Sequence, residues 1–291
     1  MTDTIRACLW MLGTVMSFIT MAVCGRLLAG TLDTFEIMMY RSIVGVIVVC
    51  AVIQLRGLWP EITRRHLGIH LLRNMGHFAG QNLWFAALAL IPLAQVFALE
   101  FTTPLWVLVL SPLLLGERLT RIGALSAALG FVGILIVTRP GMIEVSTGVL
   151  LASASAIGFA LSILLTRKLT RTETIACILF YLTTMQLLMG IVTVVWDGDI
   201  AVPTAGEIPW VIMIGFAGLF AHFCYTKALS LAPATIVSPV DFIRLPLIMI
   251  VGAMFFSEAM DPFVALGAIL IFGANYLNIW HSSRQQAVAA K

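Results

Sequence analysis

Residues 87–92 read Ala87-Leu88-Ala89-Leu90-Ile91-Pro92, and 141 positions later the chain reads Ala228-Leu229-Ser230-Leu231-Ala232-Pro233. The register holds outward from this stretch without a gap. Glu100 falls on Asp241, Phe101 on Phe242, Glu117 on Glu258, Ala124-Leu125 on Ala265-Leu266 and Phe131 on Phe272. Agreement between Leu-rich segments is cheap, whereas a shared proline and two shared acidic positions are not. The chain is therefore read as two repeats, residues 1–141 and 142–281, followed by a cytoplasmic tail at 282–291.

Composition says what each repeat is made of. Of 291 residues, 60% are hydrophobic and 11% charged, with a mean hydropathy of +1.04, against roughly a quarter charged in a soluble domain. A soluble globular fold is excluded. Bilayer-crossing helices need about 20 mainly apolar residues each. Apolar runs punctuated by charge, Pro and Gly give ten of them, at about 5–28, 34–55, 67–90, 94–115, 121–138, 147–167, 173–196, 208–231, 234–256 and 262–280. The first is too long for a signal-peptide core and reads as an uncleaved span. Five spans per repeat is an odd number, so the second repeat enters the membrane in the opposite sense. The expected fold class is an all-α integral membrane protein of ten transmembrane helices, two inverted five-helix repeats around a central cavity.

Charge sets the expected orientation. With a cytoplasmic N-terminus, Arg56, Arg64, Arg65, Arg118, Arg121, Arg167, Lys168, Arg171, Arg284 and Lys291 all lie inside, while Asp33, Glu144, Asp197, Asp199, Glu207, Glu258 and Asp261 face out. Positive residues favour the inside, so both termini are expected in the cytoplasm of an inner membrane. The net charge of +3 is small and scattered, which excludes nucleic acid as a partner and leaves the lipid bilayer and a small-molecule substrate.

Spans four and nine carry prolines, Pro104 and Pro112 in one, Pro239 and Pro246 in the other. Interrupted helices at matching positions of two halves point to a midplane substrate site with hinges. Polar residues gather on the same helices. His77, Gln81 and Trp84 share a face of span three, and the repeat partners of the last two are His222 and Tyr225. Glu100 and Thr103 on span four are matched by Asp241 and Arg244 on span nine. Ionisable groups at membrane depth face a bundle interior or a water-filled cavity.

Depth pairs Lys227 with Asp241 and Arg41 with Glu100, each pair about equally far from a shared membrane face. Arg244, with Asp241 or Glu100, has the chemistry to clamp a zwitterion, because Arg binds a carboxylate through two parallel hydrogen bonds. Phe101, Trp106, Trp84, Phe223, Tyr225 and Phe242 are available to stack on a substrate. Trp10, Trp59, Trp196, Trp210 and Trp280 read as interfacial belt residues.

Other features carry less. The five cysteines read as small buried hydrophobes. His66 and His70 are four apart, but the neighbouring sequence offers no carboxylate or cysteine to complete a metal site, so neither metal nor cofactor is expected. Gly76 with Gly80, Gly123 with Ala127, and Gly130 with Gly133 permit close helix packing. P-loop, GxSxG and HExxH motifs are absent from the sequence, and no nucleophile and base sit at motif spacing, which argues against an enzyme.

Arg41, the run from Ala87 to Ala94, Pro104, Gly116-Glu117-Arg118-Leu119-Thr120 and Gly123, repeated as Ala228 to Ala234 and Glu258, resemble the drug/metabolite transporter superfamily and its EamA-type ten-helix exporters. The second half departs from the pattern with Ser257 in place of Gly and a proline shifted to Pro246. The chain looks most like the bacterial aromatic amino acid exporters. That resemblance implies export of amino acids with aromatic and other apolar side chains by alternating access. A multidrug or nucleotide-metabolite exporter of the same fold is the alternative, and a membrane enzyme the remoter one.

Overall fold

In the computed structural model of the protein, the described residues are 3–116, 121–139, 145–198, 200–231, 240–241 and 243–289. They form helices α1 (Asp3–Leu28), α2 (Thr34–Arg56), α3 (Leu67–Leu90), α4 (Leu93–Glu100), α5 (Thr103–Leu115), α6 (Arg121–Thr138), α7 (Thr147–Leu169), α8 (Ile175–Asp197), α9 (Ile208–Leu231), α10 (Arg244–Phe256) and α11 (Pro262–Ala289), with no strand among them. Seven stretches are long and apolar enough to cross a membrane, one of them α4 and α5 taken together, and Arg244–Phe256 and Pro262–Asn278 are shorter apolar helices. Helix α3 falls outside the seven because its buried side carries His70, Arg73, Asn74, His77, Gln81 and Asn82. An interior-facing polar helix needs no lipid-like composition.

The helix ends recur at the shift of 141: Thr34 and Arg56 of α2 become Ile175 and Asp197 of α8, and Leu67 and Leu90 of α3 become Ile208 and Leu231 of α9. Caps recur with them. Gly57 and Gly198 end α2 and α8 at φ +65 and +78, where a left-handed residue lets the last carbonyls be satisfied. The same cap closes α5 at Gly116 (φ +68), but at its counterpart after α10 stands Ser257 at φ +53. A side chain in that region costs roughly 1–2 kcal/mol. Ser257→Gly is accordingly expected to raise the midpoint of thermal unfolding in detergent, by about 1 kcal/mol of stability.

The halves interleave: α3 packs on α7 as α9 packs on α1, and α2 pairs with α8 and α6 with α11. Close approach is made by glycine. A Cβ on Gly158 would stand 2.8 Å from the Gly76 carbonyl oxygen and 2.8 Å from the Gly80 Cα, and one on Gly267 2.7 Å from the Gly133 carbonyl oxygen. The small-residue steps at Gly76, Gly80 and Gly133 therefore do pack helices, across the two halves. Short helix α4 is the centre of the bundle, with Leu93, Val96, Phe97, Ala98 and Leu99 all fully buried.

The expected fourth span is broken at Phe101-Thr102, and the freed backbone groups have partners. Pro104 brings no N–H to the Glu100 carbonyl, which instead accepts from the Thr103 hydroxyl at 2.6 Å. The Thr102 hydroxyl donates to the Leu99 carbonyl at 2.6 Å, and Asn275 of α11 donates to the Phe101 carbonyl at 2.9 Å. Inside α5, Pro112 likewise leaves the Leu108 carbonyl to the Ser111 hydroxyl at 3.2 Å. A break so satisfied is tolerated at membrane depth. Pro246 lies in the first turn of α10, where its missing N–H costs little. Pro239 lies outside the described residues.

Candidate substrate site

Two polar centres sit against one face of α3, a helical turn apart. In the first, Arg41 of α2 donates to the Gln81 side-chain oxygen of α3 and touches Met38 Sδ at 3.7 Å. Beside it lies a small cavity, with room for little more than a water molecule, lined in part by Arg41, Ser42, Thr183, Gln186 and His222. His77 closes this region, its ring centroid 6.2 Å from that of His222 and 5.9 Å from that of Phe159.

One turn further along α3, Trp84 donates its indole N–H to Glu100 Oε2 at 2.9 Å. Glu100 Oε1 is 3.2 Å from Arg244 Nη1, and Arg244 Nη2 is 3.3 Å from Asp241 Oδ2. The guanidinium carbon of Arg244 lies 4.8, 4.9 and 4.7 Å from the ring centroids of Phe18, Phe97 and Phe101. Arg244 is only 3% exposed. An always-charged group this deep is retained because two carboxylates and three aromatic faces surround it. The donor and acceptor capacity is not used up. Arg244 Nε and Asp241 Oδ1 are buried without hydrogen-bond partners, and such orphans are costly unless a further group engages them.

The expected site residues distribute as follows. His77, Gln81, Trp84, Glu100, Phe101, His222, Asp241 and Arg244 fall in these two centres, and Tyr225 lies within electrostatic reach of Asp241 while 39% exposed. Thr103 is buried and spent on the break, and Trp106 packs edge-on against Phe131 of α6 at 5.2 Å. Lys227 is exposed on α9. Phe242 lies outside the described residues. Arg41 does not reach Glu100 as depth pairing expects; its partner is Gln81, and Glu100 is held by Trp84 and Arg244. The pairing by depth assumes straight neighbours. Here the break at Phe101-Thr102 meets the start of α10, which brings Arg244 to Glu100 instead.

Sequence reasoning missed Phe18 and Phe97, which nothing distinguishes from other apolar phenylalanines. It also missed the role of Glu258, expected in an outer loop. Glu258 accepts from the Leu93 backbone N–H at 2.8 Å, at the start of α4, and pairs with Arg26 at 3.0 Å. Arg26 in turn donates to the Ile91 carbonyl at 2.5 Å, beside Pro92. A carboxylate at a helix N-terminus meets the positive end of its dipole. The signal was available in the repeated acidic position, Glu117 and Glu258. Glu258→Gln is expected to cost about 1–2 kcal/mol of stability, read as a lower thermal midpoint, and Glu258→Ala more, since the Leu93 N–H then loses its acceptor as well.

A family model described as the EamA-like transporter family matches residues 5–139 and again 146–280, an offset equal to the repeat shift. The chain belongs to the EamA-like transporter family. It is thus a multi-pass membrane transporter, and the family and the names of its relatives speak for a non-enzyme. The riboflavin transporter of Rhizobium johnstonii is 31% identical over 75% of this chain and 72% of its own length. The S-adenosylmethionine uptake transporter of Rickettsia prowazekii is 24% identical over 96% of this chain and 94% of its own. A crystal structure at 19% identity superposes with a TM-score of 0.66 over 96% of this chain and 98% of the other, a likeness of fold. These relatives are named for riboflavin and S-adenosylmethionine, which corrects the expected likeness to aromatic amino acid exporters.

Proposed function

We propose that this EamA-family transporter takes up a ring-bearing metabolite with an amino-acid head, S-adenosylmethionine being the fitting example, across the cytoplasmic membrane by alternating access. The observation that carries the reading is Arg244, held between Glu100 and Asp241 inside three phenylalanine faces while Arg244 Nε and Asp241 Oδ1 have no partner. A zwitterionic head exchanges into this arrangement. Its carboxylate takes the Arg244 fork and its ammonium takes Glu100 and Asp241, so charge is conserved and both orphan atoms gain a partner. A sulfonium is a cation and suits the phenylalanine faces. Arg41, Gln186 and His222 line the small neighbouring cavity and carry donors and acceptors for a purine or ribose edge, which enters only if α2, α8 and α9 move apart there. Relatives named as S-adenosylmethionine uptake transporters match nearly the full length, which supports import over the export that the aromatic amino acid resemblance implies.

The same reading places both termini inside and the two repeats, 1–141 and 142–281, in opposite senses. The recurrence of helix ends at one shift supports it, as do the two family matches. The break at Phe101-Thr102, with Pro104 beside it, Pro112 further along α5 and Pro246 in the first turn of α10, is the hinge about which the halves rock.

A second reading, riboflavin transport, is favoured by the 31% identity of the Rhizobium protein. Riboflavin has no amino-acid head and would leave the Arg244 centre unengaged. Proteoliposome uptake of labelled S-adenosylmethionine, riboflavin and phenylalanine decides between them. Saturable S-adenosylmethionine flux, blocked by its own unlabelled excess and not by riboflavin, is expected. Flux of riboflavin alone would replace the first reading with the second.

A further inference from the structure

We infer that His70, Glu173 and Cys177 form a zinc-binding site where the starts of α3 and α8 meet, independently of what the transporter carries. One ligand atom from each lies within 4.8 Å of the other two, and among the described residues this is the one group of three such side chains. The sequence hides it, because Glu173 and Cys177 come from the other half of the chain. The expectation that no carboxylate or cysteine stands near His70 is corrected by the fold, while Cys177 is fully buried as expected.

Each ligand has a free electron pair. His70 is 1% exposed, yet both its ring nitrogens lack a hydrogen-bond partner. The Tyr181 ring lies against it, tilted by 38° at 4.5 Å between centroids, and restricts the imidazole. Glu173 spends Oε2 on the Thr63 hydroxyl at 2.6 Å, and its Oε1 is buried without a partner. The Cys177 thiol donates weakly to the Thr63 carbonyl at 3.8 Å.

The donor set selects the metal. Nitrogen, carboxylate oxygen and thiolate sulfur suit zinc, whereas magnesium and calcium take oxygen cages. Neutral His70, Glu173 and a Cys177 thiolate balance the two positive charges. Cys177–SH releases one proton to the buffer as its sulfur–metal bond forms. Zinc bonds of about 2.0–2.3 Å require the three side chains to close by about 1 Å. Three protein ligands leave a fourth position for water. Thr63, in the exposed α2–α3 loop, lies against Glu173 and Cys177.

The test uses the full chain without a histidine tag, in detergent micelles, titrated with Co²⁺. Thiolate-to-cobalt charge-transfer absorption saturating at one equivalent, and displaced by Zn²⁺, is expected. Cys177→Ser loses the band, and Cys224→Ser, at a buried cysteine away from the site, keeps it. Glu173→Gln, which still accepts from Thr63, weakens Co²⁺ binding at least tenfold. No band in the parent protein, or a band that survives Cys177→Ser, overturns the site. Should Cys177→Ser fail to fold, as read by gel filtration and thermal midpoint without metal, unchanged Co²⁺ affinity in Glu173→Gln overturns it alone.

Discussion

Arg244→Ala is expected to reduce uptake at least a hundredfold while the protein still inserts and runs as a folded species. The guanidinium has two carboxylates against it, at 3.2 Å from Glu100 and 3.3 Å from Asp241. Removing it leaves two buried acids unpaired, and breaking a buried pair from one side costs about 3–5 kcal/mol if the charges persist. Protonation of one acid relieves part of that cost, so the bundle survives while recognition of a carboxylate does not. Arg244→Lys is not a rescue. Lysine retains charge but not the planar fork, nor the flat face seated among Phe18, Phe97 and Phe101. An Arg244→Lys protein is therefore expected to fold better than Arg244→Ala and transport nearly as poorly, as read by initial rates at fixed protein per vesicle. Equal uptake by parent and Lys variant would show that the site asks only for a positive charge.

The second large effect is structural. Gly158→Leu is expected to abolish the folded bundle. Its Cβ would stand 2.8 Å from the Gly76 carbonyl oxygen and from the Gly80 Cα, backbone atoms that cannot rotate away. Overpacking with room to relax costs about 1–3 kcal/mol; here α3 and α7 must separate, and α3 carries both polar centres. Gly158→Ala is expected to be milder but clearly destabilising. Gel filtration and thermal midpoint in detergent read the outcome, and a monodisperse Gly158→Leu protein would contradict the close α3–α7 contact. Membrane helices lack a hydrophobic drive to associate, so glycine contacts of this kind are a main source of bundle cohesion.

The helices were legible because lipid imposes a strong constraint on sequence: apolar runs are long, and Gly57, Gly116 and Gly198 end them. The break in span four was legible through Pro104, and the position of the site through ionisable residues where none belongs by composition. Pairing was not. Which acid faces which base depends on how two interleaved halves cross, and a shift of one partner by a helical turn leaves hydropathy unchanged. The zinc ligands were hidden for the same reason, since His70 meets Glu173 and Cys177 only through the α3–α8 crossing. Phe18 and Phe97 were illegible on chemical grounds: a phenylalanine facing a guanidinium and one facing a methyl group look alike in sequence.

The central claim is that Arg244 recognises the carboxylate of an amino-acid head. Competition binding of S-adenosylmethionine and its decarboxylated analogue to the purified parent and Arg244→Ala proteins tests it most directly. The parent should prefer the intact compound at least tenfold, since a charge-assisted hydrogen bond contributes about 1.5–3 kcal/mol, and the variant should bind the two alike. Equal binding of both compounds by the parent protein, or a preference that survives Arg244→Ala, would contradict the account.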